Sequence, residues 1–94
     1  NGLGKYQEAL DICDKAISIN PNLAGWYITK GISLINLGEY QEAIENCDKA
    51  ISLKPDLALA YYNKGIGLAF LGKKDKALEA LHQGNIRGSR VGEV

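Results

Sequence analysis

The chain has 94 residues, enough for one domain, and 46% of them are hydrophobic, enough for a packed core. Eleven basic residues balance eleven acidic ones, so there is no electrostatic reason to expect nucleic acid or an anionic membrane as partner. The longest apolar runs, such as Leu68-Ala69-Phe70-Leu71, are far too short to cross a bilayer. No secretory leader stands out, and the expected compartment is the cytoplasm.

Chain order begins with Asn1-Gly2-Leu3-Gly4, which reads as the tail of a preceding helix. From Lys5 to Ile19, apolar residues fall at Ala9, Leu10, Ile12, Cys13, Ala16, Ile17 and Ile19. That spacing predicts a helix with one apolar stripe. Glu8 and Asp11 precede Lys15, the order that the helix dipole favours. Asn20-Pro21-Asn22 stops the helix, because proline disfavours the α region before it and cannot donate to a ladder. Asn22 is then the expected side-chain cap of the next helix. Leu23 to Leu37 is that helix, and Gly38 closes it as a left-handed stop.

The stretch GKYQEALDICDKAISI at Gly4–Ile19 returns 34 residues later as GEYQEAIENCDKAISL at Gly38–Leu53, with 11 of 16 positions identical. Lys54-Pro55-Asp56 repeats the proline stop, with Asp56 as the expected cap. Leu57–Gly72 repeats Leu23–Gly38 at 9 of 16 positions. Gly31 and Gly65 fall mid-helix, where glycine costs about 1 kcal/mol against alanine. Close approach of a neighbouring helix, at Ala43 and Ala77, is the expected compensation. A third copy starts at Gly72 and keeps Ala77, Leu78, Ala80 and Leu81. Gly84 then replaces Ala16 and Ala50, and Ser89 stands where proline is due. Asn85 to Val94 shows no period and is expected to be a frayed tail.

The two cysteines, Cys13 and Cys47, occupy the same place in successive copies. Such places lie about 8–10 Å apart in packed helices, beyond the Cα separation of about 7 Å that a disulfide allows. Two free, buried thiols are expected.

Catalytic constellations are missing from the sequence. The single histidine, His82, reads as a solvated surface residue, and no nucleophile–base set or phosphate loop is present. Glu8/Asp11 and Glu42/Glu45 share helix faces at three-residue spacing, as the polar side of the repeated unit. No enzymatic activity, cofactor or metal is expected.

Tyr27 and Tyr61, Gly31 and Gly65, Gly38 and Gly72, Tyr6 and Tyr40, Ala9, Ala43 and Ala77, Ala16 and Ala50, and Pro21 and Pro55 recur in phase. With the period of 34, they make residues 1–84 resemble the tetratricopeptide repeat. The resemblance implies an all-α fold, a right-handed superhelical stack of antiparallel helix pairs of about two and a half repeats. Its units are residues 1–22 (the second helix of a first repeat), 23–56 and 57–84, followed by the tail 85–94. In that fold the first helix of each repeat lines a concave groove. The residues expected there are Ile28, Thr29, Ile32, Ile35, Asn36, Leu59, Tyr62, Asn63, Ile66, Ala69 and Phe70. One subfamily clamps a terminal carboxylate with lysine and asparagine. Here Ile28 and Ile32 take two of those places and only Asn63 matches, so an amphipathic helix or extended apolar peptide is the expected partner. The alternative is a structural module whose repeats stack between chains, with homo-oligomers forming through uncapped ends. Ala9, Leu10, Cys13 and Ile17 at one end, and Ala77, Leu78 and Leu81 at the other, lack a partner helix in the sequence. Trp26 either packs on the helix Lys5–Ile19 or stacks on a ligand.

Overall fold

The computed structural model describes residues 2–92. Five helices follow one another: α1 (Gly2–Ile19), α2 (Ala24–Asn36), α3 (Tyr40–Leu53), α4 (Ala58–Phe70) and α5 (Lys74–Gly92). Each packs on the next in sequence, and α2 also packs on α4. Among the described residues the backbones of α1 and α3, and of α3 and α5, do not come close, and these helices share only side-chain clusters. The helices α2 and α4 therefore form a close inner layer, while α1, α3 and α5 splay on the outer side.

The glycine stops act as their spacing predicts. Gly38 and Gly72 have φ of 83° and 80°. The amide of Glu39 donates to the carbonyl of Leu34 at 2.8 Å, and that of Gly38 to Ile35 at 3.0 Å. Lys73 and Gly72 repeat these bonds on Leu68 and Ala69. This paired pattern satisfies the last carbonyls of α2 and α4 and turns the chain back.

The proline turns use a different device from the one expected. The N-terminal flanking residues of α2 and α4 are Leu23 and Leu57, and neither helix has a side-chain cap. Asn22 and Asp56 do not cap. Instead the amides of Trp26 and Ala60 donate to the carbonyls of Leu23 and Leu57 at 3.3 and 3.2 Å, tightening the first turn. The turns are pinned from outside: Tyr27 Oη donates to the Pro21 carbonyl at 2.8 Å, and Tyr61 Oη to that of Pro55 at 2.9 Å.

Small residues set the helix crossings. A Cβ on Gly31 would lie 3.1 Å from Cys47 Sγ and 3.4 Å from the Ala43 carbonyl. On Gly65 it would lie 2.8 Å from Leu81 Cγ and 3.2 Å from the Ala77 carbonyl. The expected pairing of Gly31 with Ala43 and Gly65 with Ala77 thus holds, with Cys47 and its counterpart Leu81 filling the same crossings. Both cysteines are free and buried. Gly25 is the contrast: nothing lies within 4 Å of an added Cβ, and φ is not positive. Gly25→Ala is expected to stabilise the chain by about 0.5–1 kcal/mol. A thermal midpoint, followed by circular dichroism, that falls instead of rising would refute this.

The core follows the repeat. Ala24, Tyr27, Ile28, Ala50 and Ala60 form one cluster. Leu10, Leu34 and Ala43 form a second, tying α1 to α2 and α3. Ile44, Leu68, Ala77 and Ala80 form a third, tying α3 to α4 and α5. Leu10 and Cys13 are buried, so α2 covers much of the α1 stripe. Two ion pairs recur in phase, Lys30–Asp14 at 2.8 Å and Lys64–Asp48 at 2.7 Å.

The frayed tail is overturned as far as Gly92, to which α5 runs without a break; Glu93 and Val94 lie outside the described residues. Serine at position 89 keeps the amide that proline would remove. Tertiary contacts then hold this extension. Tyr62 Oη donates to Asn85 Oδ1 at 2.8 Å, and Arg87 Nε donates to the Pro55 carbonyl at 2.8 Å. The Arg87 guanidinium lies 4.1 Å from the centre of the Tyr61 ring. Glycine at position 84 admits this docking, because a Cβ there would sit 2.9 Å from Tyr62 Cδ1 and 3.3 Å from the Ala58 carbonyl.

Candidate functional site: the inner face

The inner face is built by α2, α4 and the turns beside them. One hollow, about 660 Å³, lies where the start of α2 meets the α3–α4 turn. Leu23, Trp26, Ile28, Leu53 and Leu57 give it a mainly apolar wall, and Thr29 and Lys54 stand at its polar edge. A second, smaller hollow of about 280 Å³ lies between α4 and α5, lined by Gly65, Ile66, Ala69, Phe70 and Leu81. The two share no residue.

The eleven inward residues expected from helical spacing divide between exposed and covered positions. Thr29, Asn36, Leu59, Ile66, Ala69 and Phe70 are exposed. Phe70 is 62% exposed, yet its ring is held in place by stacking on Tyr40, with centroids 4.7 Å apart and planes 2° from parallel. Asn36 and Thr29 bond to carbonyls of their own helix, at Ile32 and Gly25.

Five expected positions do not form an open stripe. Ile28 is buried in the cluster with Ala60, because α4 crosses α2 there over a residue small enough to admit it. It reaches only the floor of the larger hollow. Ile32 packs against the same cluster. Ile35 packs toward Leu10, Leu34 and Ala43. Tyr62 turns to α5, where its ring meets Gly84 and its hydroxyl meets Asn85. Asn63 is buried, and its Nδ2 donates to the Leu59 carbonyl at 2.9 Å, so it is not presented to a ligand. A carboxylate clamp is therefore absent at the one position that matched it.

Leu23, Leu53, Lys54 and Leu57 lie outside the expected set. For two of them the signal was in the sequence: Leu23 and Leu57, each following a proline turn, recur at the 34-residue period, and Leu23 is 49% exposed. Partly buried Trp26 lines the hollow too. Among the described residues no group of three metal-ligating side chains converges, and no helix is long and apolar enough to cross a membrane.

Comparison with known proteins places the fold. No curated protein matches the chain. Among solved structures, MamA is 28% identical with a TM-score of 0.88, over 96% of this chain and 53% of that one. The chain thus spans about half the length of MamA. The TPR2B domain of yeast Sti1, in a pHsp70 complex, is 26% identical with a TM-score of 0.91, over 96% of this chain and 72% of that one. The second TPR of Spaghetti (RPAP3), bound to an HSP90 peptide, is 24% identical with a TM-score of 0.85, over 88% and 77%, and shows the fold alone. Models of the tetratricopeptide repeat match residues 1–23 and 24–57. The helix pairs, the glycine stops and these matches together make the chain a member of the tetratricopeptide repeat family, with an all-α solenoid fold.

Proposed function

We propose that the chain is a non-enzymatic protein-interaction module that holds an apolar peptide segment or amphipathic helix on its inner face. The observation that carries this reading is the hollow of about 660 Å³ at the start of α2, with its leucine wall and its edge of Thr29 and Lys54. A concave apolar site with a few polar groups is the usual form of a peptide anchor pocket. Exposed Leu59, Ile66 and Phe70 extend the apolar surface along α4. The pHsp70 complex of the Sti1 domain supports a segment of another protein as the ligand class.

Trp26 gives the test, because it lines the hollow. A synthetic amphipathic helical peptide is expected to change its fluorescence on titration. Leu23→Asp is expected to weaken that binding at least about tenfold, since it puts a carboxylate on an apolar contact. Leu59→Glu with Phe70→Glu is expected to weaken it further. Binding unchanged in all these variants would remove the inner face as the site.

Stacking between copies is the second reading, and it rests on the patch of Leu59, Ile66 and Phe70 that α5 leaves open. It requires that the parent chain self-associate in sedimentation and that Ile66→Glu abolish the association.

A further inference from the structure

The outer side carries a feature that the inner-face reading does not use. Because the backbones of α3 and α5 stand apart, a furrow opens between them over α4 and the cluster of Ile44, Leu68 and Ala80. It holds a hollow of about 430 Å³. Tyr61, Lys64 and Leu68 form its floor, Gln41, Ile44 and Asp48 one wall, and Lys73, Lys76, Glu79 and Gln83 the other.

Its charge departs from the repeat. Residues 73, 76 and 79 correspond, 34 residues earlier, to Glu39, Glu42 and Glu45. Two of three acidic positions have become lysine on the α5 edge. The same shift divides the chain: residues 1–56 hold five basic and eight acidic residues, and residues 57–94 hold six and three. Asp48 is already occupied by Lys64 at 2.7 Å. Among the described residues neither Lys73 nor Lys76 has an ion-pair partner. These lysines also crowd the start of α5, where the dipole and their own like charge oppose them. Asp75 in the first turn and Glu79 offset part of this, and a bound anion relieves the rest. Ile44, Leu68 and Ala80 supply an apolar bed beneath the basic edge.

We propose that this outer furrow is a second binding site, for an acidic peptide segment that sets carboxylates against Lys73 and Lys76 and an apolar side chain toward Ile44 and Leu68. The ligand is a polypeptide because the furrow pairs charge with an apolar bed and with the side-chain amides of Gln41 and Gln83. Exposed charge pairs are weak and screened by salt, so the affinity is modest and falls as ionic strength rises.

The test uses a short fluorescent peptide rich in glutamate with interspersed leucine, and the same peptide with glutamine in place of each glutamate. Fluorescence anisotropy with the full chain is expected to show binding of the first and little of the second. Lys73→Glu with Lys76→Glu is expected to weaken it about tenfold, the scale of two lost charge pairs. Lys5→Glu with Lys15→Glu, the same change of charge on exposed positions of α1 away from the furrow, is expected to leave it unchanged. An unaltered thermal midpoint separates a lost contact from a lost fold. Equal binding of the glutamine peptide would overturn the proposal, as would an equal loss of binding through the α1 variants. So would displacement of the peptide by a single-stranded RNA oligonucleotide, which would make the furrow a general polyanion surface.

Discussion

Leu34→Ala is expected to destabilise the chain by about 2–5 kcal/mol, the range for truncating a fully packed leucine. Leu34 is 3% exposed and sits with Leu10 and Ala43, in a cluster that α1, α2 and α3 share. Its backbone carbonyl also holds the Schellman turn at Gly38, which the substitution leaves intact. The loss is therefore one of packing. A domain of this size is stable by only about 5–15 kcal/mol, so the effect is a large fraction of the whole. Urea unfolding supplies the measurement. In a repeat stack each unit leans on its neighbours, so the variant is also expected to release α1 first, seen as a smaller urea dependence of the main transition. A loss below about 1 kcal/mol with an unchanged slope would show that the cluster closes around the gap.

The second large effect is a fall in stability at alkaline pH carried by Cys47. Burial raises its thiol first, the Asp48 carboxylate raises it further, and Lys64 opposes them, leaving the pKa pushed up to about 12 from 9.0. An unfolded thiol ionises near 9.0, while the folded one stays protonated until about 12. Between those values the unfolded chain holds fewer protons, so stability drops as pH rises, by up to about 1.4 kcal/mol per pH unit. The stabilising contribution is fully present below the lower value and lost on the way to the upper one. Cys13 shifts the same way, for burial first and Asp14 second, with Lys30 opposing. Cys47→Ala is expected to flatten the stability profile between about pH 9 and pH 10.5 by roughly 1–2 kcal/mol relative to the parent. Parallel profiles for the two proteins would mean that the thiol is not protected. At neutral pH both thiols are expected to ignore an aromatic disulfide reagent until the chain is unfolded.

Much of this fold was legible because the sequence repeats its punctuation. Gly38 and Gly72 announced left-handed stops, and the structure puts both at positive φ. The small residues at 31, 43, 65 and 77 announced close crossings, and the thiols of Cys13 and Cys47 are buried and unpaired. What escaped the reading depends on contacts between distant residues. Asn22 and Asp56 have the chemistry of caps, yet backbone bonds at Leu23 and Leu57 close the first turns without them. The segment after Gly84 has no period of its own, and it stays helical because Asn85 and Arg87 find Tyr62, Tyr61 and the Pro55 carbonyl more than 20 residues away. The inner face was the least legible part. Helical spacing places Ile28 and Tyr62 on one stripe with Ile66 and Phe70, but spacing does not record that α4 lies over Ile28 and α5 over Tyr62.

The close backbone approach of α2 and α4, with the outer helices farther apart, also fixes the molecule's curvature. The array behaves as two rails of unequal gauge: the inner rail is spaced by close backbone approach, and the wider outer rail by side chains. Ala60, with no exposed surface, sits in that inner contact against Ala24, Tyr27 and Ile28. The volume of this single side chain therefore acts on the radius of the arc. A larger residue there wedges the inner rail apart and straightens the stack, and in any longer array of the same unit the angular change adds from one repeat to the next.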